Sequence, residues 1–198
     1  MQESKAAEDL AFIRKIMDES SSFAEAGGDY FVIWGAVTGI AMLTTWAIAS
    51  RYLPGTGQMI WGVWVVALVM GLLLSAWRGR RKARPPVSNS ANRQIGAVWF
   101  AVGMPMLLLF FVGQSYELLR AQAIPATAAA LLGTGIYLTG TLAKIGWLRN
   151  LAFIWWLASI ALMLVQGATV FLVYALLVFT LYVLPGIKLN QMARRAGV

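Results

Sequence analysis

Side chains that could catalyse a reaction or bind a metal ion are few in this sequence. The chain contains no Cys and no His, so thiolate zinc sites, His-ligated haem and Ser–His or Cys–His nucleophiles have no residues to build on. Seven of the eight acidic residues precede residue 30, and only Glu117 follows. We therefore predict no catalytic residue, no cofactor and no metal site, and we expect that the protein is not an enzyme.

Asp29 is the carboxylate nearest to an apolar segment, in the sequence Gly27-Gly28-Asp29-Tyr30. An intramembrane aspartyl protease would need a second carboxylate, because the two groups share one proton during catalysis. No second carboxylate lies within the apolar segments. We expect Asp29 to be a solvated residue at the start of a helix.

Hydroxyls are the main polar groups inside the apolar segments. Thr134, Tyr137, Tyr174 and Thr180 lie in such segments, where a hydroxyl needs a hydrogen-bond partner that lipid cannot supply. One interpretation is hydrogen bonding between helices. The other is an intramembrane pocket for a small polar or amphipathic ligand, to which these four residues would contribute.

The composition is that of a membrane protein. Of the 198 residues, 60% are apolar and 12% are charged, and the mean hydropathy is +0.70, whereas soluble domains have about 45–50% apolar and 25% charged residues. A transmembrane helix needs about 20 mostly apolar residues. Six segments come close to this length, at about 30–50, 58–77, 95–113, 123–142, 151–165 and 168–185. We therefore predict an all-α, polytopic membrane protein with six transmembrane helices.

The fifth and sixth segments form one apolar run from Leu151 to Pro185, interrupted only at Gln166-Gly167. At about 1.5 Å per residue, a single helix of that length would be longer than the hydrocarbon core of about 30 Å. We therefore expect two helices that reverse direction at Gln166-Gly167.

The distribution of basic residues predicts the orientation in the membrane. With six spans, fourteen Lys and Arg residues fall on one side and only Arg51 and Arg120 on the other, and basic residues accumulate on cytoplasmic loops. We therefore predict an integral protein of the inner (cytoplasmic) membrane with both termini in the cytoplasm. Its parts would be a cytoplasmic amphipathic helix at 1–29, a transmembrane domain at 30–187 and a cytoplasmic tail at 188–198.

The odd-numbered segments begin with similar residues: FVIW at 31–34, GAVW at 96–99 and AFIW at 152–155. This pattern indicates three helical hairpins, and chance similarity among apolar segments is the other explanation. Gly35-x-x-x-Gly39 in the first segment would allow close helix contact, either within the bundle or in a homodimer.

Two parts of the predicted cytoplasmic face could bind a partner. In the N-terminal segment, apolar residues recur at helical spacing: Leu10, Ile13 and Met17. This helix would pack under the bundle or against a protein. A basic cluster that includes Arg78, Arg80 and Arg81 follows the second segment, where it could fix the topology or bind anionic lipid headgroups or a cytosolic protein. No motif that reads nucleic acid accompanies these charges, so we expect no direct contact with nucleic acid.

Four stretches of the sequence are distinctive: LAFIRKIMDESS at 10–21, IPAT at 124–127, GTGIY at 133–137 and WLRNL at 147–151. They resemble an uncharacterised family of six-span bacterial inner-membrane proteins with an N-terminal amphipathic helix. The resemblance covers most of the chain and implies a regulatory partner, because members are often encoded beside winged-helix transcription regulators. It implies no activity, so no residue inherits a role. The chain departs from the family after its first helix, where FAEA stands at 23–26 and Ser- and Gly-rich residues are expected.

These observations favour a non-enzymatic regulator or sensor that lies in the lipid bilayer and engages a cytosolic partner. The bundle lacks catalytic groups, while its predicted cytoplasmic face carries nearly all the charge. The alternative is a small transporter or channel for a neutral, amphipathic or lipid-like substrate, which would use the hydroxyls inside the spans.

Overall fold

A computed structural model of the protein describes residues 27–81, 90–112, 120 and 123–195. This part of the chain contains six helices long and apolar enough to cross a membrane and no strand. The helices are α1 (Gly27–Ala49), α2 (Gly57–Arg81), α3 (Ser90–Leu107), α4 (Ala123–Leu142), α5 (Gly146–Leu164) and α6 (Thr169–Arg195). The protein is therefore an all-α, polytopic integral membrane protein, as predicted.

The reversal between the last two helices falls where the sequence predicts it. Helix α5 ends at Leu164 and α6 begins at Thr169. Between them, Gly167 has a φ of 67°, a conformation that glycine adopts without the steric cost that a Cβ would add. Gln166-Gly167 is therefore the turn that divides the long apolar run into two helices.

Helix α6 is longer than predicted, because it continues past Pro185 to Arg195. Most of the predicted tail at 188–198 is therefore helical. A π-helical turn at Phe179–Val183 precedes the proline, and the Leu184 N–H donates to the Phe179 carbonyl five residues earlier. A proline has no N–H to donate to the carbonyl four residues before it, which here is that of Leu181. The Trp155 indole Nε1 donates to that carbonyl instead, at 3.2 Å.

Helices α4 and α5 pack extensively against each other. Gly140 permits it, because a Cβ there would meet the main chain of Arg149. The buried Ser159 hydroxyl also donates to the Ala126 carbonyl across the pair, at 2.8 Å. These two helices belong to different members of the three predicted hairpins. On the other side of α4, Gly135 faces Trp99 of α3.

Helices α1 and α6 approach closely along a row of glycines. A Cβ on Gly35 would meet Tyr182 and Val183, and one on Gly39 would meet the Phe179 ring. The sequence predicts that Gly35-x-x-x-Gly39 allows close helix contact either within the bundle or in a homodimer. In the structure, both glycines pack against α6 within the bundle. This face of α1 is covered by the chain's own sixth helix.

Helix α2 lies at the edge of the bundle and has Gly71 as its one buried residue. Gly71 lies against the Trp34 ring of α1. The Trp64 indole of α2 also donates to the Thr45 hydroxyl of α1, at 3.2 Å. Helix α2 is therefore held mainly by α1, which leaves space between α2 and the other helices.

Candidate functional site

A cavity of about 670 Å³ lies inside the bundle. Its walls come from α1, α2, α3, α4 and α6, whereas α5 does not contribute. Ligand pockets in proteins usually have volumes of about 300–1,000 Å³ and mostly apolar walls. This cavity is therefore large enough to hold a small molecule.

The walls are almost entirely apolar. Among the residues that the structure describes, none that lines the cavity is charged. The polar atoms available are hydroxyls and indole nitrogens, from Tyr30, Thr38, Tyr174, Tyr182, Trp34, Trp64 and Trp99. Without a countercharge, an ion would lose its hydration and gain no compensating partner. The cavity is therefore suited to an uncharged molecule.

Three aromatic rings from three helices meet at one wall of the cavity. The Tyr182 ring of α6 is stacked on Phe31 of α1, with ring centroids 4.5 Å apart. Trp99 of α3 meets the same tyrosine edge to face, with centroids 5.9 Å apart. Both geometries are favourable for aromatic pairs, so the Tyr182 ring is held in place from two sides.

The cavity opens to the outside of the bundle between α2 and α3. Leu72 of α2 lines the cavity and is 54% exposed. On the facing helix, Gly96 and Leu107 both line the cavity and are exposed. These positions lie within the spanning part of the helices, so the opening faces lipid chains. Just past the end of α3, a π-helical turn at Leu108–Val112 holds Phe110. Its ring contacts Trp61 of α2, with centroids 5.3 Å apart, and so closes the gap there.

Two glycines of α3 widen the cavity. Gly96 and Gly103 both line it, and a Cβ on either would have no atom within 4 Å. They are seven residues apart, so they lie on one face of α3 about 10 Å from each other. At both positions the backbone of α3 itself therefore borders open space, and this strip of α3 from Gly96 to Gly103 is called the α3 groove.

Only one of the four residues predicted to form a polar pocket lines this cavity. Tyr174 does. Thr134 is exposed and donates to the Ala130 carbonyl of its own helix, at 3.1 Å. Thr180 is also exposed and donates to the Leu176 carbonyl, at 2.8 Å.

Tyr137, the fourth residue of that set, lies elsewhere, between the rings of Phe153 and Trp156 of α5. The structure therefore does not bring the four residues together. The physical reason is that a threonine hydroxyl can bond to the carbonyl four residues earlier in its own helix. Such a hydroxyl needs neither a pocket nor a second helix.

Sequence reasoning missed several residues of the cavity, among them Tyr182, Gly96 and Gly103. A signal for part of it was present, because Trp34 and Trp99 occupy the same place in two of the similar segment starts, and both line the cavity. The sequence does not distinguish a glycine at a helix contact from a glycine that borders a cavity, so the two cavity glycines could not be identified from it.

Asp29 is not the solvated residue that we expect from the sequence. Its carboxylate accepts from Arg78 Nε at 2.6 Å and from Asn190 Nδ2 at 3.0 Å, and its side chain is only 19% exposed. A carboxylate beside the hydrocarbon region is costly unless it is paired, which explains the contact. The pair joins the start of α1 to the ends of α2 and α6.

The residues predicted to bind a partner have different surroundings. Arg78 is engaged by Asp29, the guanidinium of Arg81 lies 4.1 Å from the centre of the Trp77 ring, and Arg80 is exposed. The other three, Leu10, Ile13 and Met17, lie outside the described residues.

Within the ranges 27–81, 90–112 and 123–195, no three His, Cys, Asp or Glu side chains form a group that could hold a metal ion. No family model, curated protein or solved structure matches the chain. The resemblance to six-span inner-membrane proteins therefore stays a prediction.

Proposed function

We propose that the protein binds an uncharged, amphipathic or lipid-like molecule that it takes up from the bilayer. The observation that supports this function is the apolar cavity with its opening between α2 and α3. Binding of such a molecule would be the first step of transport, which is the alternative function that the sequence predicts. It is equally the first step of a membrane sensor.

The chemistry of the walls favours such a ligand over water. Water forms few hydrogen bonds in an apolar cavity and gains little by entering it. A hydrocarbon chain gains dispersion contacts with the many closely spaced wall atoms. Because the opening faces lipid chains, a ligand can reach the cavity without crossing water.

Tryptophan fluorescence tests this proposal, because Trp34, Trp64 and Trp99 line the cavity. Bromine atoms quench indole fluorescence on contact, so we would titrate the purified protein in detergent with 1-bromododecane. Binding in the cavity should give a saturable component of quenching at about one molecule per chain. Quenching that rises only in proportion to the probe concentration in the micelles would contradict the proposal.

We also propose that the arginine-rich end of the bundle, where α2 and α6 end, faces the cytoplasm of the inner membrane and engages a cytosolic protein. The contact between Asp29 and Arg78 supports this second function. Asp29 is the last residue of the segment 1–29, and Arg78 is the first residue of the segment 78–93. The contact therefore joins the two segments that are predicted to bind a partner. Both α1 and α2 also line the cavity, so a ligand in the cavity would touch the two helices that carry this contact.

A pull-down from the native soluble fraction tests the second function. The full-length protein should retain a cytosolic protein that a variant lacking residues 5–26 does not retain. Retention by both proteins, or by neither, would contradict a partner bound through the N-terminal segment.

A further inference from the structure

We propose that the ligand of the cavity is a lipid with a single hydrocarbon chain and an uncharged polar group, of the chemical class of monoacylglycerols and long-chain alcohols. Its chain would lie along the α3 groove between Gly96 and Gly103, and its polar group would bond to the hydroxyl of Tyr174 or Tyr182. This inference rests on the proposed function and specifies the ligand.

The size and shape of the cavity determine the number of chains. A volume of about 670 Å³ is roughly twenty times the space that one water molecule occupies in the liquid, and a methylene group is of similar size. One chain of about eighteen carbons with a small polar group fills that space. A phospholipid has a second chain and a charged headgroup, and the described residues that line the cavity offer no countercharge for that headgroup. Gly96 and Gly103, where a Cβ would meet nothing within 4 Å, leave room beside α3 at two places about 10 Å apart, which one extended chain can span.

Two buried hydroxyls determine the polar group. Tyr174 is 1% exposed and Tyr182 is 6% exposed, and both line the cavity. Neither hydroxyl forms a hydrogen bond to a residue that the structure describes. Because neither oxygen is among the fully buried side-chain atoms without a partner, both remain accessible from the cavity, where a ligand can supply a hydrogen-bond partner. A carbonyl or hydroxyl group of the ligand would do so.

The charge of the lining determines the class of the headgroup. None of the described residues that line the cavity carries a charge, so a carboxylate or phosphate there would be desolvated and unpaired. An ester or alcohol has no such cost. Because the Tyr182 ring is fixed between Phe31 and Trp99, its hydroxyl is held in one place for the ligand to meet.

The opening between α2 and α3 suits this class of molecule. Leu72 of α2 and Gly96 of α3 both line the cavity and are exposed on the outside of the bundle. A single chain can slide between two helices, and a neutral headgroup can follow it at little cost. The route runs within the membrane, where monoacylglycerols and long-chain alcohols accumulate.

Competition for the bromododecane site tests the inference in the full-length protein. Monooleoylglycerol and oleyl alcohol should displace the probe at concentrations at least tenfold lower than oleate at alkaline pH or dioleoylphosphatidylglycerol. Displacement by oleate or by the phospholipid at the same or lower concentration would overturn the inference.

Matched tyrosine variants test the role of the hydroxyls. At least one of Tyr174→Phe and Tyr182→Phe should weaken binding of monooleoylglycerol by roughly threefold to tenfold, which is the effect of one hydrogen bond, and should affect binding of bromododecane less, because bromododecane has no oxygen to bond to the hydroxyl. Tyr137→Phe is the control, because Tyr137 packs against Phe153 and Trp156 outside the cavity. Unchanged monooleoylglycerol binding in both cavity variants would refute the hydroxyl contact.

The two proposals fail in different ways. If the wild-type protein shows no saturable quenching by bromododecane, the cavity binds no hydrophobic molecule and the proposed function itself is wrong. If quenching saturates but the charged or two-chain lipids compete best, the binding function stands and only the ligand class is wrong.

Discussion

Replacement of Gly140 by Ala should lower the free energy of unfolding by about 2–3 kcal/mol or more, which is the usual effect of forcing extra atoms into a packed core. The new Cβ would lie against the main-chain nitrogen of Arg149 and 2.7 Å from its Cα. Main-chain atoms cannot rotate away as a flexible side chain can, so α4 and α5 must separate. Thermal unfolding in detergent, followed by the loss of monodisperse protein, measures the effect.

Gly146→Ala is the matched control for this variant. Gly146 lies at the start of α5, and a Cβ there would meet no atom within 4 Å. Alanine has a helix propensity about 1 kcal/mol better than that of glycine, so this variant should unfold at the same temperature as the parent or slightly above it. Equal stability of the Gly140 and Gly146 variants would show that α4 and α5 do not pack as closely as the structure has them.

Trp155→Ala should have the other large effect, a loss of about 3–5 kcal/mol, which is typical of deleting a large buried ring. Trp155 is 0% exposed and its ring contacts that of Tyr174. The substitution also removes the donor to the Leu181 carbonyl, which Pro185 cannot replace. The same thermal assay measures this loss.

Trp155→Phe separates the hydrogen bond from the packing. It keeps an aromatic ring and leaves the Leu181 carbonyl without its donor, so we expect an intermediate loss of about 1–3 kcal/mol. Trp77→Ala is the control, because Trp77 is 51% exposed and should contribute much less. If Trp155→Ala were no less stable than Trp77→Ala, the assignment of Trp155 to the core would be wrong.

The sequence was sufficient to predict the helices, because long apolar segments and their interruptions determine where a chain can cross a bilayer. The predicted fourth span at 123–142 coincides with α4, and the interruption at Gln166-Gly167 became the turn between α5 and α6. The hydropathy of consecutive residues and the position of a turn glycine determine these features, so they can be predicted from one sequence.

The candidate site could not be predicted in the same way, because it depends on how distant residues meet. Asp29 and Arg78 are 49 positions apart, and no local sequence pattern predicts their contact. In α6, Tyr174 and Tyr182 are eight residues apart, which in a regular helix places them about 80° from each other. The π-helical turn at Phe179–Val183 shifts the register, and both rings line the cavity.

Binding of 1-bromododecane to two leucine variants tests the central claim most directly. Gly103 lines the cavity and has open space around it, so Gly103→Leu should fit without a clash and fill the groove. Gly62 of α2 also has open space around it but does not line the cavity, so Gly62→Leu adds the same side chain outside. We predict that Gly103→Leu loses the saturable quenching while Gly62→Leu keeps it. The same saturable quenching in both variants would contradict a ligand site in this cavity.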